Sequence, residues 1–152
     1  MTSLSHSEIL DLVPQRAPFR FIDEIIELDD EHIVASYTFR PDESFYAGHF
    51  PGNPITPGVV LLETMAQTGV VAFGIYLVSQ QMPVEEIRKT LTVFTDAEVE
   101  FSGMVRPGEK VIIRAKKRYF RRMKLKVDAE IEAEDGTVVC SGSISGMGVA
   151  NG

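Results

Sequence analysis

The sequence predicts an α+β fold in which one long antiparallel sheet wraps around one central buried helix. Three observations lead there. Gly58 to Ser79 is apolar on nearly every face, with Glu63, Thr64, Gln67 and Thr68 as the polar exceptions, and a helix that is apolar all round belongs inside something. Met123, Leu125, Val127, Ala129, Ile131 and Ala133 alternate without a break with Lys124, Lys126, Asp128, Glu130, Glu132 and Glu134. That period of two marks a strand with one buried and one wet face. Asp135-Gly136 then supplies a hairpin turn into a further strand, Thr137 to Ile144.

The remaining elements follow in chain order. Ser5 to Leu12 fits a short helix capped by Ser5 or Ser7, and Pro14 and Pro18 end it, because proline offers no amide donor and restricts the residue before it. Phe19 to Leu28 and His32 to Phe39 are expected as strands around the acidic turn Asp29-Asp30-Glu31. Phe45 to Pro57 is a loop rich in Gly and Pro, and Pro57 suits the first turn of the helix it leads into. Pro107-Gly108 opens a strand from Glu109 to Tyr119. A sheet with a single helix to cover its inner face gains by pairing with a second copy, so a homodimer is expected.

The chain of 152 residues suits one domain, 1–152, with enough apolar content, 44% hydrophobic against 24% charged, to bury its own core. The lone cysteine, Cys140, has no intrachain partner for a disulfide and no companions for a cysteine metal cluster, which fits a reducing compartment. Met1 to Asp11 lacks the basic start and apolar run of a signal peptide. The longest uninterrupted apolar run, Gly69 to Val78, falls short of the ~20 residues a bilayer span needs. A soluble, cytoplasmic protein is the expectation. A net charge of −7 argues against nucleic acid as a general partner. The charge is nonetheless uneven, since ten of the fifteen Lys and Arg residues lie between Arg106 and Lys126, where Glu109 is the one acid.

Chemistry concentrates between Gly48 and Thr68. His49 sits in a loop stiffened by Pro51, Pro54 and Pro57, which holds in place an imidazole able to act as a base near neutral pH. Gly58 opens the buried helix, where free N–H groups and the helix dipole favour developing negative charge. Glu63 lies one and a half turns into that helix and Gln67 one turn further on the same face. A carboxyl on an apolar helix is costly to bury ionised, so its pKa should rise and a protonated form becomes available to donate. A base, an acid and an oxyanion donor are what elimination beta to a carbonyl requires. Singly, each has a plainer reading: a loop His at the surface, a helix Glu in solvent, a proline-rich turn. The apolar neighbours of Glu63 leave little solvent-facing surface for the second of these.

The run Gly48-His49-Phe50-Pro51-Gly52-Asn53-Pro54-Ile55-Thr56-Pro57-Gly58-Val59, followed by Glu63 and by Ala66-Gln67, resembles the signature of the hot-dog-fold 3-hydroxyacyl-acyl-carrier-protein dehydratases of type II fatty acid synthesis, the FabZ type. Leu12-Val13-Pro14-Gln15-Arg16-Ala17-Pro18-Phe19 to Asp23 is similar to the family's opening strand, with Gln15 and Ala17 in place of its usual His and Tyr. Phe101 and Val105-Arg106-Pro107-Gly108-Glu109 match a later strand and its turn. The resemblance covers about Leu10 to about Gly146. It implies that His49 removes the alpha proton and Glu63 protonates the leaving hydroxyl. It further implies that the Gly58 N–H polarises the thioester carbonyl, that Gln67 orients Glu63, and that each site draws His49 and Glu63 from different subunits. No metal and no organic cofactor are implied. Glu rather than Asp at position 63 resembles the branch that dehydrates without isomerising the double bond.

The chain departs from that pattern at Asp96 to Glu100 and at Ser102-Gly103-Met104, and it has no Tyr between Lys89 and Asp96. Phe94 and Phe50 are therefore the candidates for the acyl tunnel or its gate. Lys116, Lys117, Arg118, Arg121 and Arg122 are candidates for docking an acidic acyl carrier protein, since complementary charge steers encounter. The alternative is a solvated strand pair whose cations answer Glu130, Glu132 and Glu134 across the sheet. A hot-dog acyl thioesterase, a non-catalytic acyl-binding subunit and an unusual-lipid or polyketide dehydratase are the rival functions. Assembly of dimers into a trimer of dimers is left open.

Overall fold

A computed structural model of the chain describes residues 3–152. Helix α1 (His6–Leu12) starts at Ser5, whose hydroxyl accepts the Glu8 N–H while the Glu8 carboxylate accepts the Ser5 N–H. Of the two serines available, Ser5 is the cap, because Glu8 stands where a reciprocal capping pair needs it. Strands β1 (Glu24–Leu28) and β2 (His32–Thr38) flank a turn in which Asp29 Oδ1 accepts the N–H groups of Glu31 and His32.

The first strand begins at Glu24 rather than at Phe19. Asp23 already donates its N–H to the Ser36 carbonyl of β2, but Phe19 to Phe21 pair with a side chain instead of a strand. The Phe21 N–H donates to Gln67 Oε1 over 2.7 Å, and Gln67 Nε2 donates to the Phe19 carbonyl over 3.0 Å. One amide thus takes the role of a neighbouring strand.

Strands β3 (Thr90–Phe101), β4 (Lys110–Arg121), β5 (Lys124–Ala133) and β6 (Val138–Ala150) complete one six-stranded antiparallel sheet in the order β1-β2-β4-β5-β6-β3. The alternation along β5 holds as expected, with Leu125, Val127, Ala129 and Ile131 buried between more exposed neighbours. Gly136, at φ +88°, makes the turn into β6, with the Thr137 N–H held by Asp135 Oδ1. Strand β6 runs on past Ile144 to Ala150, because β3 lies alongside it from Thr90 to Phe101.

The sheet wraps a helix that runs from Gly58 to Ser79 as α2 (Gly58–Ala66), a π-helical segment (Gln67–Ala72) and α3 (Phe73–Ser79), with the short α4 (Val84–Ile87) beyond it. Pro57 is the residue just before the first turn rather than within it. In the π segment the Phe73 N–H reaches the Thr68 carbonyl, five residues back. Gly69 lies in that segment, and a Cβ there would sit 3.1 Å from Ala115 Cβ and 3.3 Å from Val127 Cγ2. Its bare backbone lets the helix settle onto β4 and β5. Taken whole, Gly58–Ser79 is 22 residues long with a mean hydropathy of 1.5, which is long and apolar enough to cross a bilayer by composition. The contiguous apolar run therefore understates the element. Its most apolar stretch is 72% buried against the rest of the chain, so this is a core helix. Cys140 belongs to the same core, its thiol pushed up to about 11 by burial.

The close pairing of β6 with β3 yields a stability prediction. A Cβ on Gly142 would overlap the Glu98 carbonyl oxygen and lie 2.8 Å from Val99 Cα, both backbone atoms of β3 that have no rotamer to yield with. Gly142→Ala should cost about 1–3 kcal/mol and lower Tm by roughly 2–12 °C in a thermal melt. Gly136→Ala, with open space around it and strain confined to its own φ, is expected to cost less.

Candidate active site

His49 follows a 3₁₀ turn (Ser44–Ala47) and is tied to it by its own N–H, which donates to the Phe45 carbonyl over 2.9 Å. Its ring packs on Phe50 with centroids 4.3 Å apart, and Nδ1 lies 2.8 Å from the Ile55 carbonyl. A carbonyl only accepts, so Nδ1 carries the proton of that bond, and in the neutral ring Nε2 keeps the lone pair. The loop is braced elsewhere. The Asn53 N–H donates to the Phe50 carbonyl, the Thr56 N–H to the Val105 carbonyl, and Tyr46 Oη and Thr56 Oγ1 share a 2.6 Å hydrogen bond. Phe50 takes a left-handed φ of +65°, which turns its ring out to 56% exposure. No periodicity in the sequence announces that.

Glu63 lies on α2, half-buried, and its Oε2 accepts from Gln67 Nε2 over 2.8 Å. Burial pushes its carboxyl above the ordinary carboxylate range, and the bond from Gln67 pulls in the opposite direction. Gln67 is fully buried and saturated, since the same amide holds Phe19, Phe21 and Glu63. Gly58 heads the helix, where the first N–H groups have no intrahelical acceptor. The Phe101 ring lies 3.3 Å from where a Gly58 Cβ would project, so that wall of the helix N-terminus is apolar.

A cavity of about 40 Å³ opens beside Glu63, lined by Gln15, Ala66, Val70, Val71, Thr92, Val93 and Phe94. Phe94 is one of these walls and is 48% exposed. His49 does not line this cavity, and neither does Phe50. Within one chain Gln67 bonds Glu63 on the helix, and Phe94, on β3, lines the same cavity as Glu63, while His49 and Phe50 stand on the loop before the helix. Gln15 is the cavity residue that the sequence did not single out for chemistry. Its setting, Pro14-Gln15-Arg16, has the pattern of a plain helix stop. Among the described residues, no group of three or more His, Cys, Asp or Glu side chains is placed to hold a metal ion.

The basic run is divided by its pairing. Arg118 Nε meets Asp128 over 2.8 Å, Lys117 meets Glu31 at 3.5 Å, and Arg121 covers the Tyr119 ring at 4.4 Å. Arg122, at φ +50°, forms the β4–β5 turn. Lys116 lines a broad groove on the outer face of the sheet with Arg114, Lys126, Glu98 and Glu130. The cross-sheet pairing is narrower than expected. Glu132 is answered by Arg114 at 2.7 Å, and Asp128 rather than Glu130 or Glu134 takes Arg118. Register decides this, since Arg114 stands opposite Glu130 and reaches diagonally to Glu132.

Residues 13–143 match the sequence model of the FabA-like domain. The chain is similar to the 3-hydroxyacyl-acyl-carrier-protein dehydratase FabZ of Syntrophobacter fumaroxidans, 35% identical over 146 residues, or 95% of this chain and 94% of that protein. It is likewise similar to the FabZ dehydratase of Acetivibrio thermocellus, 37% identical over 93% of this chain and 92% of that one. In the bifunctional enzyme LpxC/FabZ of Chlorobaculum tepidum, 37% identical over 138 residues, it matches 90% of its own length and spans 28% of that protein. Among solved structures, the dehydratase heterocomplex ApeI:P of Xenorhabdus doucetiae superposes with a TM-score of 0.70 at 19% identity, covering 91% of this chain and 89% of that one. A thioesterase of Haemophilus influenzae superposes with a TM-score of 0.68 at 16% identity, covering 99% and 94%. These last two establish the fold, which is the hot-dog fold.

Proposed function

The chain belongs to the FabA-like domain family, and we propose that it dehydrates 3-hydroxyacyl thioesters of acyl carrier protein to trans-2-enoyl thioesters, as the names of its FabZ relatives describe for them. The observation that carries this reading is Glu63, a carboxyl held on a buried helix, raised in pKa by burial and oriented by an amide that is itself locked to the backbone at Phe19 and Phe21. An acid needed in its protonated form is best kept in such a place.

The chemistry follows from the groups. His49 Nε2 takes the proton from the carbon next to the thioester carbonyl, and the negative charge that develops on the carbonyl oxygen is met by the Gly58 N–H and the helix dipole. Glu63 gives its proton to the 3-hydroxyl, the C–O bond breaks with its electron pair going to oxygen, and water leaves. Each site takes His49 from one subunit and Glu63 from the other, so the homodimer is the active unit. The unpaired edge of β3, with Val93, Phe94 and Phe101 46%, 48% and 51% exposed, supports that pairing, because a second copy would cover it. Phe94 and Phe50 line the acyl path. Lys116, Lys117, Arg118, Arg121 and Arg122 attract the acidic carrier protein, with Lys116, Arg121 and Arg122 the freer cations. The location is the cytoplasm, in keeping with a single buried thiol and carrier-protein chemistry.

The test is direct. Purified protein incubated with 3-hydroxyacyl and with trans-2-enoyl carrier-protein thioesters should interconvert them with a mass change of one water. Release of free acid would instead identify a thioesterase, and inertness toward both a non-catalytic acyl-binding subunit. A pH series adds a sign. Dehydration needs Glu63 protonated, so the alkaline limb should fall as pH rises through the elevated Glu63 pKa, above the range of an exposed glutamate. A limb that falls near the ordinary glutamate value would remove Glu63 as the acid.

A further inference from the structure

His49 is held at two points, and both lead to one buried pair of hydroxyls. Its own N–H donates to the Phe45 carbonyl over 2.9 Å, and its Nδ1 lies 2.8 Å from the Ile55 carbonyl. The residue after Phe45 is Tyr46, and the residue after Ile55 is Thr56. Their side chains belong to residues 5% and 3% exposed, and they meet in a 2.6 Å hydrogen bond between Tyr46 Oη and Thr56 Oγ1. Burial pushes the Tyr46 phenol above its ordinary range, so it keeps its proton and can donate. The Ile55 carbonyl and the Thr56 N–H belong to one planar trans peptide and point to opposite sides of it. That N–H donates over 2.9 Å to the carbonyl of Val105, a fully buried residue. One peptide plane is thus fastened to the core on one side and to the His49 ring on the other.

Resting on the dehydratase reading, we propose that Tyr46 and Thr56 are a positioning pair for the base. Their hydrogen bond fixes the peptide whose carbonyl holds His49 Nδ1, and so keeps Nε2 free to take the substrate's proton. Phe50 to Asn53, between the two tethers, are exposed, so the direction of the ring depends on the two ends. Phe and Val at positions 46 and 56 would fill the same space with no polar group to satisfy. The hydroxyl pair adds what packing lacks, a preferred distance and direction. Without it the Ile55 carbonyl tilts away from Nδ1 and the ring proton is shared between the two nitrogens. A ring protonated at Nε2 has no lone pair there and cannot act as the base.

Tyr46→Phe and Thr56→Val each leave one buried hydroxyl without its partner. Each should lower kcat for dehydration roughly tenfold, with KM within about twofold of the wild type. Thr56→Ser, which keeps the hydroxyl, should stay within about threefold in kcat. The decisive variant is the double substitution Tyr46→Phe with Thr56→Val. Replacing both partners by apolar groups of similar shape should bring Tm back toward the wild type in a thermal melt, whereas kcat should stay low. Nitrogen-15 NMR of ring-labelled histidine, with the His49 signals assigned by their loss in His49→Ala, reads the cause. The wild-type ring should hold its proton on Nδ1, and the double variant should show both tautomers. A double variant that recovers kcat together with Tm, or whose His49 ring keeps the wild-type tautomer, overturns the positioning role and leaves the dehydratase reading intact. A wild-type protein that interconverts neither thioester overturns that reading and this inference with it.

Discussion

Glu63→Gln is expected to lower kcat for dehydration by about 10²–10⁴-fold, the range for loss of a positioned general acid, while the folded protein becomes no less stable. The two halves of that result have one cause. Burial raises the Glu63 pKa in the folded state, so its contribution to stability is fully present below the unfolded-state value and is lost as pH rises through the folded one. At pH 7 the native residue therefore works against the fold, and a neutral amide in its place removes that penalty while still accepting from Gln67 Nε2. Thermal melts at pH 7 should show Tm equal to or above the wild type, and the difference should shrink as pH is lowered. A drop in Tm alongside the drop in kcat would point to a structural rather than a chemical role. His49→Ala should be comparably inactive. If each site is shared, mixing the two inactive variants under subunit exchange forms one intact site in each mixed dimer and restores about a quarter of wild-type activity. No recovery after verified exchange would place both residues of a site in one subunit.

Gln67→Leu is the second large effect, and it is expected on two readouts at once. The substitution keeps the volume of a fully buried side chain but strips the Phe21 N–H and the Phe19 carbonyl of their partners. Leaving one buried and one partly buried backbone group unpaired should cost about 2–4 kcal/mol in urea unfolding. The same change frees the Glu63 carboxyl. The Gln67 hydrogen bond opposes the upward shift that burial imposes on Glu63, so its loss should raise that pKa further and move the alkaline limb of the rate profile to higher pH, with kcat reduced by lost orientation. A residue that served only the fold would lower stability without moving the limb. An unshifted limb would therefore confine Gln67 to a structural role.

Much of the fold is legible from local pattern because the deciding forces are local in sequence. The unbroken alternation from Met123 to Glu134 forces one face of β5 inward whatever its neighbours, and Asp135-Gly136 turns the chain because Gly136 tolerates φ +88°. The Ser5 and Glu8 pair starts α1 within four residues of chain. The stretch from Phe19 to Phe21 has strand-like composition and still is not strand, because its partner is a single side chain on an element that arrives much later in the sequence. The π segment is equally silent in the sequence, since it depends on how the helix seats Gly69 against Ala115 and Val127.

For the site the division is similar. The sequence alone determined which groups are available: an imidazole in a proline-braced loop, a carboxyl on an apolar helix, and a glycine at that helix's start. Residue type and helical spacing suffice for those, and the Glu63 to Gln67 contact is simply one turn of helix. Only the tertiary structure decided what surrounds them. It locked Gln67 between two backbone groups, gave the His49 ring its tautomer through Ile55, and set Gln15 and Phe94 at the walls of the cavity beside Glu63. Those features depend on contacts between segments distant in the chain, and no local propensity encodes which side chains will meet when the sheet closes over its helix.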